Sequence, residues 1–423
     1  MKVLVIGGGG REHAIVSKLA QSGHVDNIYC TPGNAGISGM AECLDIGTAR
    51  FDELIDLVRY EWIDLTIVGP EEPLSRGIVD AFERDGRRIV GPTKAAAQLE
   101  SSKVFSKEFM RKYRIPTAEY KVFASYLQAE DYVRMKGAPI VIKADGLAAG
   151  KGVIVASTVD EAIDALKRIM KDKEFGDAGN HVIVEECLQG EEASFMAFTD
   201  GTTIVPMVSS QDHKRVLDGD KGPNTGGMGA YSPAPVVTDE LAAAVIEKVM
   251  RPTVNGMRSE GIKYKGILYA GLMIKDGVPS VLEFNCRLGD PETQPVLARL
   301  DTDFMDICMA MAEERLADIE IAWKKEASVC VVLSAKGYPG PYEKGQVITG
   351  LDEAKSMENV MVFHAGTAFN NDEIVTSGGR VLGVTAIGED IRAAKKRAYE
   401  AVGKIRFDGM HYRKDIADRA LNG

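Results

Sequence analysis

The segment Ser280-Val281-Leu282-Glu283-Phe284-Asn285-Cys286 alternates polar and apolar side chains. As a strand it puts Glu283 and Asn285 on one face and Leu282, Phe284 and Cys286 on the other. A carboxylate beside an amide oxygen on a rigid strand suits a small, hard divalent cation. Such an ion takes a few protein oxygens and fills its octahedron with phosphate and water. The next residues, Arg287-Leu288-Gly289-Asp290-Pro291-Glu292-Thr293, add a guanidinium and two more carboxylates. A half-exposed strand with a polar face shows the same alternation, so the pair needs phosphate-binding neighbours to carry weight.

Three glycine-rich segments supply them. In Val141-Ile142-Lys143-Ala144-Asp145-Gly146-Leu147-Ala148-Ala149-Gly150-Lys151-Gly152-Val153 a strand enters a glycine loop and an apolar, β-branched run leaves it. Lys151 precedes Gly152 rather than Ser or Thr, and no helix follows, which excludes a Walker A loop. The pattern is a strand–loop–strand flap, with Lys143 at the strand end to reach phosphates as a point charge. Gly7-Gly8-Gly9-Gly10-Arg11-Glu12-His13 follows a strand and opens a helix, a natural anion site at Gly9 and Gly10. A dinucleotide fingerprint fails there, because its third glycine position holds Glu12. The third segment runs from Gln211-Asp212-His213-Lys214-Arg215 to Asn224-Thr225-Gly226-Gly227-Met228-Gly229. It is polar and glycine-dense, as a loop that cradles a small ligand must be. His13 and His213 are acid–base groups by type alone, and histidines at such places are more often structural.

A fourth segment, Val184-Glu185-Glu186-Cys187-Leu188-Gln189-Gly190-Glu191-Glu192, leaves a strand into a short stretch whose backbone can read an adenine edge. Glu192 is placed to accept two ribose hydroxyls. Taken alone, the same acidity describes a solvated face.

The elements that must position these residues read as follows. Residues 1–100 alternate strand and helix, which means a parallel sheet covered on both faces. A long helix is expected at 94–113, then a small unit of strands at 120–123, 140–143, 153–156 and 182–185 with helices near 127–135 and 159–170. Strands near 194–199 and 203–208, a helix at 239–260 and a hairpin of 267–274 with 280–285, turned at Asp276-Gly277, complete the middle. A helix over 304–315 follows, and a mixed unit begins at 328.

The 423 residues suggest about three domains. Net charge is −11, from 51 basic and 62 acidic side chains, which argues against a nucleic-acid partner. No apolar run nears the ~18 residues of a membrane helix. Six scattered cysteines without a C-x-x-C pair fit reduced thiols in a cytoplasmic protein.

Together these motifs resemble the ATP-grasp ligases, and within them the phosphoribosylamine–glycine ligase family. The resemblance covers the whole chain and is carried by Gly7–His13, Gly69-Pro70-Glu71-Glu72-Pro73-Leu74, Lys143–Gly152, Glu185–Ser194, Asp212–Arg215, Pro223–Gly229 and Glu283–Gln294. It implies an α/β and α+β multidomain fold: a Rossmann-like sheet over 1–102, an ATP-grasp core over 103–327 with a lid at about 120–188, and a mixed α/β domain over 328–423. It implies ATP and Mg²⁺ or Mn²⁺ as cofactors, and glycine and 5-phosphoribosylamine as substrates of a cytoplasmic monomer. Lys103, Lys143, Gly146, Gly150, Lys151 and Gly152 are then expected at the phosphates. Glu185, Glu186 and Leu188 are expected at adenine, Glu192 at the ribose, and Glu283 and Asn285 at the metal. Gly9, Gly10 and Glu71 would hold phosphoribosylamine. Asp212, Lys214, Asn224, Thr225, Gly226, Gly227 and Asp290 would line the substrate pocket. Arg287, Lys143 and Asp212 are the expected catalytic groups. In one respect the chain departs from wider ATP-grasp enzymes: the strand Leu268-Tyr269-Ala270-Gly271-Leu272-Met273 lacks their additional acidic metal ligand. Alternatives are a sister ligase using another carboxylate and a nucleotide-binding module without catalysis.

Overall fold

The computed structural model describes residues 1–147 and 152–422. Lys2–Gly7 lies at the centre of a five-stranded parallel sheet, flanked by Asn27–Pro32 and then Glu42–Cys43 on one side, Leu65–Val68 and then Ile89–Val90 on the other. Val3 and Val5 face one apolar core, Leu4 and Ile6 the other, as expected of a strand covered on both faces. The first core is completed by Phe304, Met305 and Ile307, from a helix almost 300 residues downstream by sequence number. The chain reverses strand order between Lys2–Gly7 and Leu65–Val68. Ligands of open α/β sheets bind at such a switch point, outside the carboxyl ends of the strands. Gly7–Gly10 and Gly69–Glu71 leave the sheet there.

A second sheet, Tyr120–Phe123, Val182–Glu186, Ile140–Ala144 and Val153–Ala156, is wholly antiparallel and forms the lid. Ile140, Ile142, Ala144, Val182 and Val184 pack into its own core beneath helices Tyr126–Lys136 and Val159–Leu166. The alternation sends Val141, Lys143, Val153, Val155 and Glu185 to the opposite face. A third sheet, Ile204–Pro206, Glu191–Thr199, Gly266–Lys275 and Val278–Asn285, forms the floor below. Its hairpin turns at Asp276 (φ 51°) and Gly277 (φ 74°), the pair of positive φ values that the Asp-Gly signal demands. A fourth sheet draws Gln211–Asp212 and Gly229–Ser232 from the 210–232 loop and adds Ala327–Ser334, Arg380–Gly388 and Val360–His364.

Four helices differ from expectation: the one near 159–170 is regular over Val159–Leu166 and widens at Lys167–Lys171. The stretch 94–113 is two helices, Gln98–Ser101 and Lys103–Lys112, because Ser102 is extended (φ −132°, ψ 111°) and its Oγ accepts from the Phe105 N–H. The 239–260 helix widens at Ile246–Met250, where the Arg251 N–H bonds back five residues to Ile246. Pro252, one residue on, has no N–H to continue the ordinary ladder. The 304–315 helix ends at Ala312, with Glu314 at φ 58°.

Candidate active site

The second, third and fourth sheets, with residues that follow strands of the first, line one cleft of about 620 Å³. Its roof is the exposed face of the lid and its floor the face of Gly266–Lys275 and Val278–Asn285. At the roof, Glu185 is 2 % exposed and sits between two lysines. Lys143 Nζ lies 3.0 Å from its Oε1 and Lys107 Nζ 3.1 Å from its Oε2. Burial lowers the Lys107 pKa to about 8, against the opposing pull of Glu185. Lys103 opens the same helix and donates to the Gly146 carbonyl at 2.8 Å, and burial lowers its pKa too. Asp145 fixes the start of the glycine loop, accepting from Ser102 Oγ and the Val104 N–H, each at 3.1 Å. Glu186, Leu188 and Gly152 also line the cleft. The Glu186 N–H is spent on the Glu119 carbonyl, so that residue offers a ligand only its carbonyl and side chain.

Glu192 is engaged: its Oε2 takes the Lys214 ammonium at 2.8 Å, and Asp212 Oδ1 takes the same ammonium at 3.0 Å. Burial raises the Asp212 pKa to about 6, with Lys214 opposing. Burial works against the Lys214 charge, yet Asp212 and Glu192 hold its pKa well above the usual lysine value. Beside them, Tyr269 donates to Glu292 Oε1 at 2.6 Å.

The strand alternation places Glu283 and Asn285 on the floor, paired across the hairpin with Gly271 and Tyr269. Glu283 is half-buried and has no ion pair among the described residues. An uncommitted carboxylate two residues from an amide oxygen, in a cleft with four lysines, fits a divalent cation shared with phosphates. Arg287 stands beside it. Its guanidinium pairs with Glu100 at 2.8 Å and Glu71 at 3.1 Å, and donates to Asn285 Oδ1 at 3.2 Å. Burial lowers the Arg287 pKa less than Glu100 and Glu71 raise it, so the charge is permanent.

The far end of the cleft meets the switch point. Asp290 is held by Arg380 at 3.1 Å and accepts from Gln294 at 2.9 Å. A Cβ at Gly9 or Gly10 would lie 3.6 Å from its carboxylate. These two glycines therefore stand just behind the wall rather than on it. Glu12 explains the glycines around it. Its Oε2 accepts from the Gly9 N–H at 2.6 Å, its Oε1 from Arg11 at 2.6 Å, and a Cβ at Gly7 or Gly69 would overlap it. Asn224, Thr225 and Gly226 line the cleft. Gly227 lies behind them, at φ 114° against Pro291. Gly146 likewise contributes through its carbonyl to Lys103 rather than to the wall. Gly150 and Lys151 lie outside the described residues.

His13 and His213 are buried, and burial lowers their pKa values to about 4 and about 3. Both are neutral packing groups; His13 Nδ1 accepts the His364 N–H at 2.7 Å. Sequence reading missed Arg11, Glu100, Lys107, Tyr338 and Arg380, all of which line the cleft. Lys107 had a signal, since it is one helical turn from Lys103. Arg380 and Tyr338 had none. Arg380 donates to the carbonyls of Gly226 and Asp290, each at 2.6 Å, and Tyr338 accepts from the Gly226 N–H at 2.9 Å.

Comparison with known proteins matches this architecture in three blocks. Family models described as the N domain, the ATP-grasp (A) domain and the C domain of phosphoribosylglycinamide synthetase match residues 1–100, 101–293 and 328–419. Phosphoribosylamine–glycine ligase of Vibrio parahaemolyticus is 53% identical over 424 residues, covering 100% of this chain and 99% of its own. That of Escherichia coli O157:H7 is 53% identical over 425 residues, with 100% and 99% covered. A crystal structure of phosphoribosylamine–glycine ligase from Thermotoga maritima is 34% identical, with a TM-score of 0.86 over 99% of this chain and 100% of that one. Biotin carboxylase from Campylobacter jejuni shares the fold alone, at 14% identity and a TM-score of 0.74 over 100% and 95%. The chain belongs to the phosphoribosylglycinamide synthetase family of ATP-grasp ligases.

Proposed function

We propose that this chain joins glycine to 5-phosphoribosylamine at the expense of ATP, giving glycinamide ribonucleotide, ADP and phosphate in purine biosynthesis. The observation that carries the reading is one cleft holding Lys103, Lys143, the Glu283–Asn285 pair and the switch-point loops of the N-terminal sheet. The glycine carboxylate attacks the γ-phosphorus, and the bond to the ADP oxygen breaks. The amine of phosphoribosylamine then attacks the carbonyl of glycyl phosphate, loses a proton and expels phosphate.

Most of the protein's part is positioning and charge neutralisation. Lys143 and Lys103 take nucleotide phosphates beneath the lid. Glu185, the Glu186 carbonyl and the Leu188 backbone hold adenine, while Glu192 holds the ribose. Glu283 and Asn285 hold Mg²⁺ or Mn²⁺, which when bound offsets charge on the transferring phosphoryl group. Arg287 faces the same charge with a permanently protonated guanidinium. Asp212 and Asp290 are the carboxylates for the glycine ammonium, with Asn224, Thr225 and Gly226 along that wall. Glu71 takes hydroxyls of phosphoribosylamine, and the phosphate lies toward the Gly9–Gly10 loop just behind the cleft wall. The lid excludes water from the acyl phosphate.

Purified protein should release ADP only with glycine, phosphoribosylamine and a divalent cation together. Glu283→Ala should lower that release by at least about a hundredfold, the scale for losing a group that holds charge in the transition state. ADP release that ignores glycine but requires another carboxylate would transfer the chain to a sister ligase.

A further inference from the structure

Lys107 is a buried charge that the proposed reaction leaves unused. Its side chain is 3 % exposed. Besides Glu185, its ammonium donates to Thr117 Oγ1 at 2.7 Å and lies 5.6 Å from the centre of the Tyr120 ring. Lys143 is held differently. It is on the roof, bound to Glu185 and to the Leu282 carbonyl at 3.1 Å, and it faces the cleft. One carboxylate is thus shared by two buried lysines of the cleft lining, one tied to Thr117 and the other to the Leu282 carbonyl next to Glu283.

We propose that Lys107 is a positioning residue, the standing counter-ion of Glu185 that releases Lys143 to the nucleotide phosphates. This rests on the reading that the cleft binds ATP. When phosphates arrive, Lys143 must exchange Glu185 for them. A carboxylate buried as deeply as Glu185 cannot be left without a cation, because an uncompensated buried charge is strongly unfavourable. Lys107 meets that requirement through Oε2, so the exchange leaves no orphan. Without Lys107, Glu185 retains Lys143 and the phosphates lose a ligand. The effect therefore belongs to the phosphate end of the nucleotide and depends on the charge of Glu185.

Calorimetric titration of the full-length protein with ATP and with AMP distinguishes this from simple packing. Lys107→Met should weaken ATP by about tenfold, and AMP by less than about threefold, since one charge contact to the polyphosphate is lost. Adding Glu185→Gln to Lys107→Met removes the charge that captures Lys143. The double variant should bind ATP within about threefold of Glu185→Gln alone. ATP binding by Lys107→Met within about twofold of the parent would overturn the proposal. Losses that simply add in the double variant, or that fall equally on ATP and AMP, would overturn it too. If Lys107→Met does not fold, the two variants carrying Glu185→Gln still decide the matter. Normal ATP binding without glycine-dependent turnover would sink the ligase reading while leaving this test standing.

Discussion

Glu12 shows how one side chain dictates the residues around it. It is 2 % exposed, and its carboxylate closes the loop by taking the Gly9 N–H and Arg11. Gly7 and Gly69, from two neighbouring strands, are the spaces it fills. Gly69→Ala should force Glu12 out, costing about 1–3 kcal/mol as an overpacked core does. The KM for phosphoribosylamine should rise by about tenfold or more, while that for ATP moves by less than about twofold. Thermal melts and steady-state kinetics check both halves; an unchanged KM would show that Glu12 does not shape the loop. The sequence betrayed Glu12 only negatively, as a residue that spoils a dinucleotide fingerprint. Glu283 and Asn285 were readable because strand alternation is local. Glu100 was not, because nothing in its own helix signals that it meets Arg287, 187 positions later by number, at 2.8 Å.

At the scale of elements, the lid was legible and the helix beneath it was not. Alternation in 140–143 and 182–185 assigns one face to apolar packing and the other to Lys143 and Glu185. Apolar periodicity carried the helix straight through Ser102, because helical spacing does not register a cap. That cap matters. Ser102 Oγ accepts from the Phe105 N–H and donates to Asp145, so it joins the helix bearing Lys103 and Lys107 to the glycine loop. Ser102→Ala should cost about 1 kcal/mol, as N-cap losses do. It should also raise the KM for ATP several-fold while leaving that for glycine unchanged. A fall in melting temperature with no change in the KM for ATP would confine Ser102 to a structural role.

Across the whole molecule, the site is assembled from units that do not cover themselves. The N-terminal sheet borrows Phe304, Met305 and Ile307 for one face, and the last sheet takes two strands from the 210–232 loop. Such pairings leave no mark on local sequence, which is why Arg380 and Tyr338 were invisible. The same junctions bury histidines. His13 and His364 meet between the N-terminal helix and strand Val360–His364, with ring centres 5.5 Å apart, and His213 lies beside Arg413 and Arg419. Burial holds their pKa values at about 4, about 3 and about 3. Unfolding returns each to about 6.5, so below that pH the unfolded chain binds more protons and stability falls as pH falls. Asp212, raised to about 6 by burial, and Glu100, also raised by burial, act in the opposite sense. They gain protons in the folded state as pH drops. Two carboxylates oppose three histidines, so the histidines prevail in the window from pH 6.5 down to 5. The urea midpoint should therefore decline steadily between pH 7 and pH 5, before carboxylates held low by cationic partners begin to protonate. His364→Asn should flatten that decline by at least about a third, because one of three proton-binding groups is gone. A midpoint independent of pH over this range, or a slope unchanged in the variant, would show that the domain junctions admit charged imidazole.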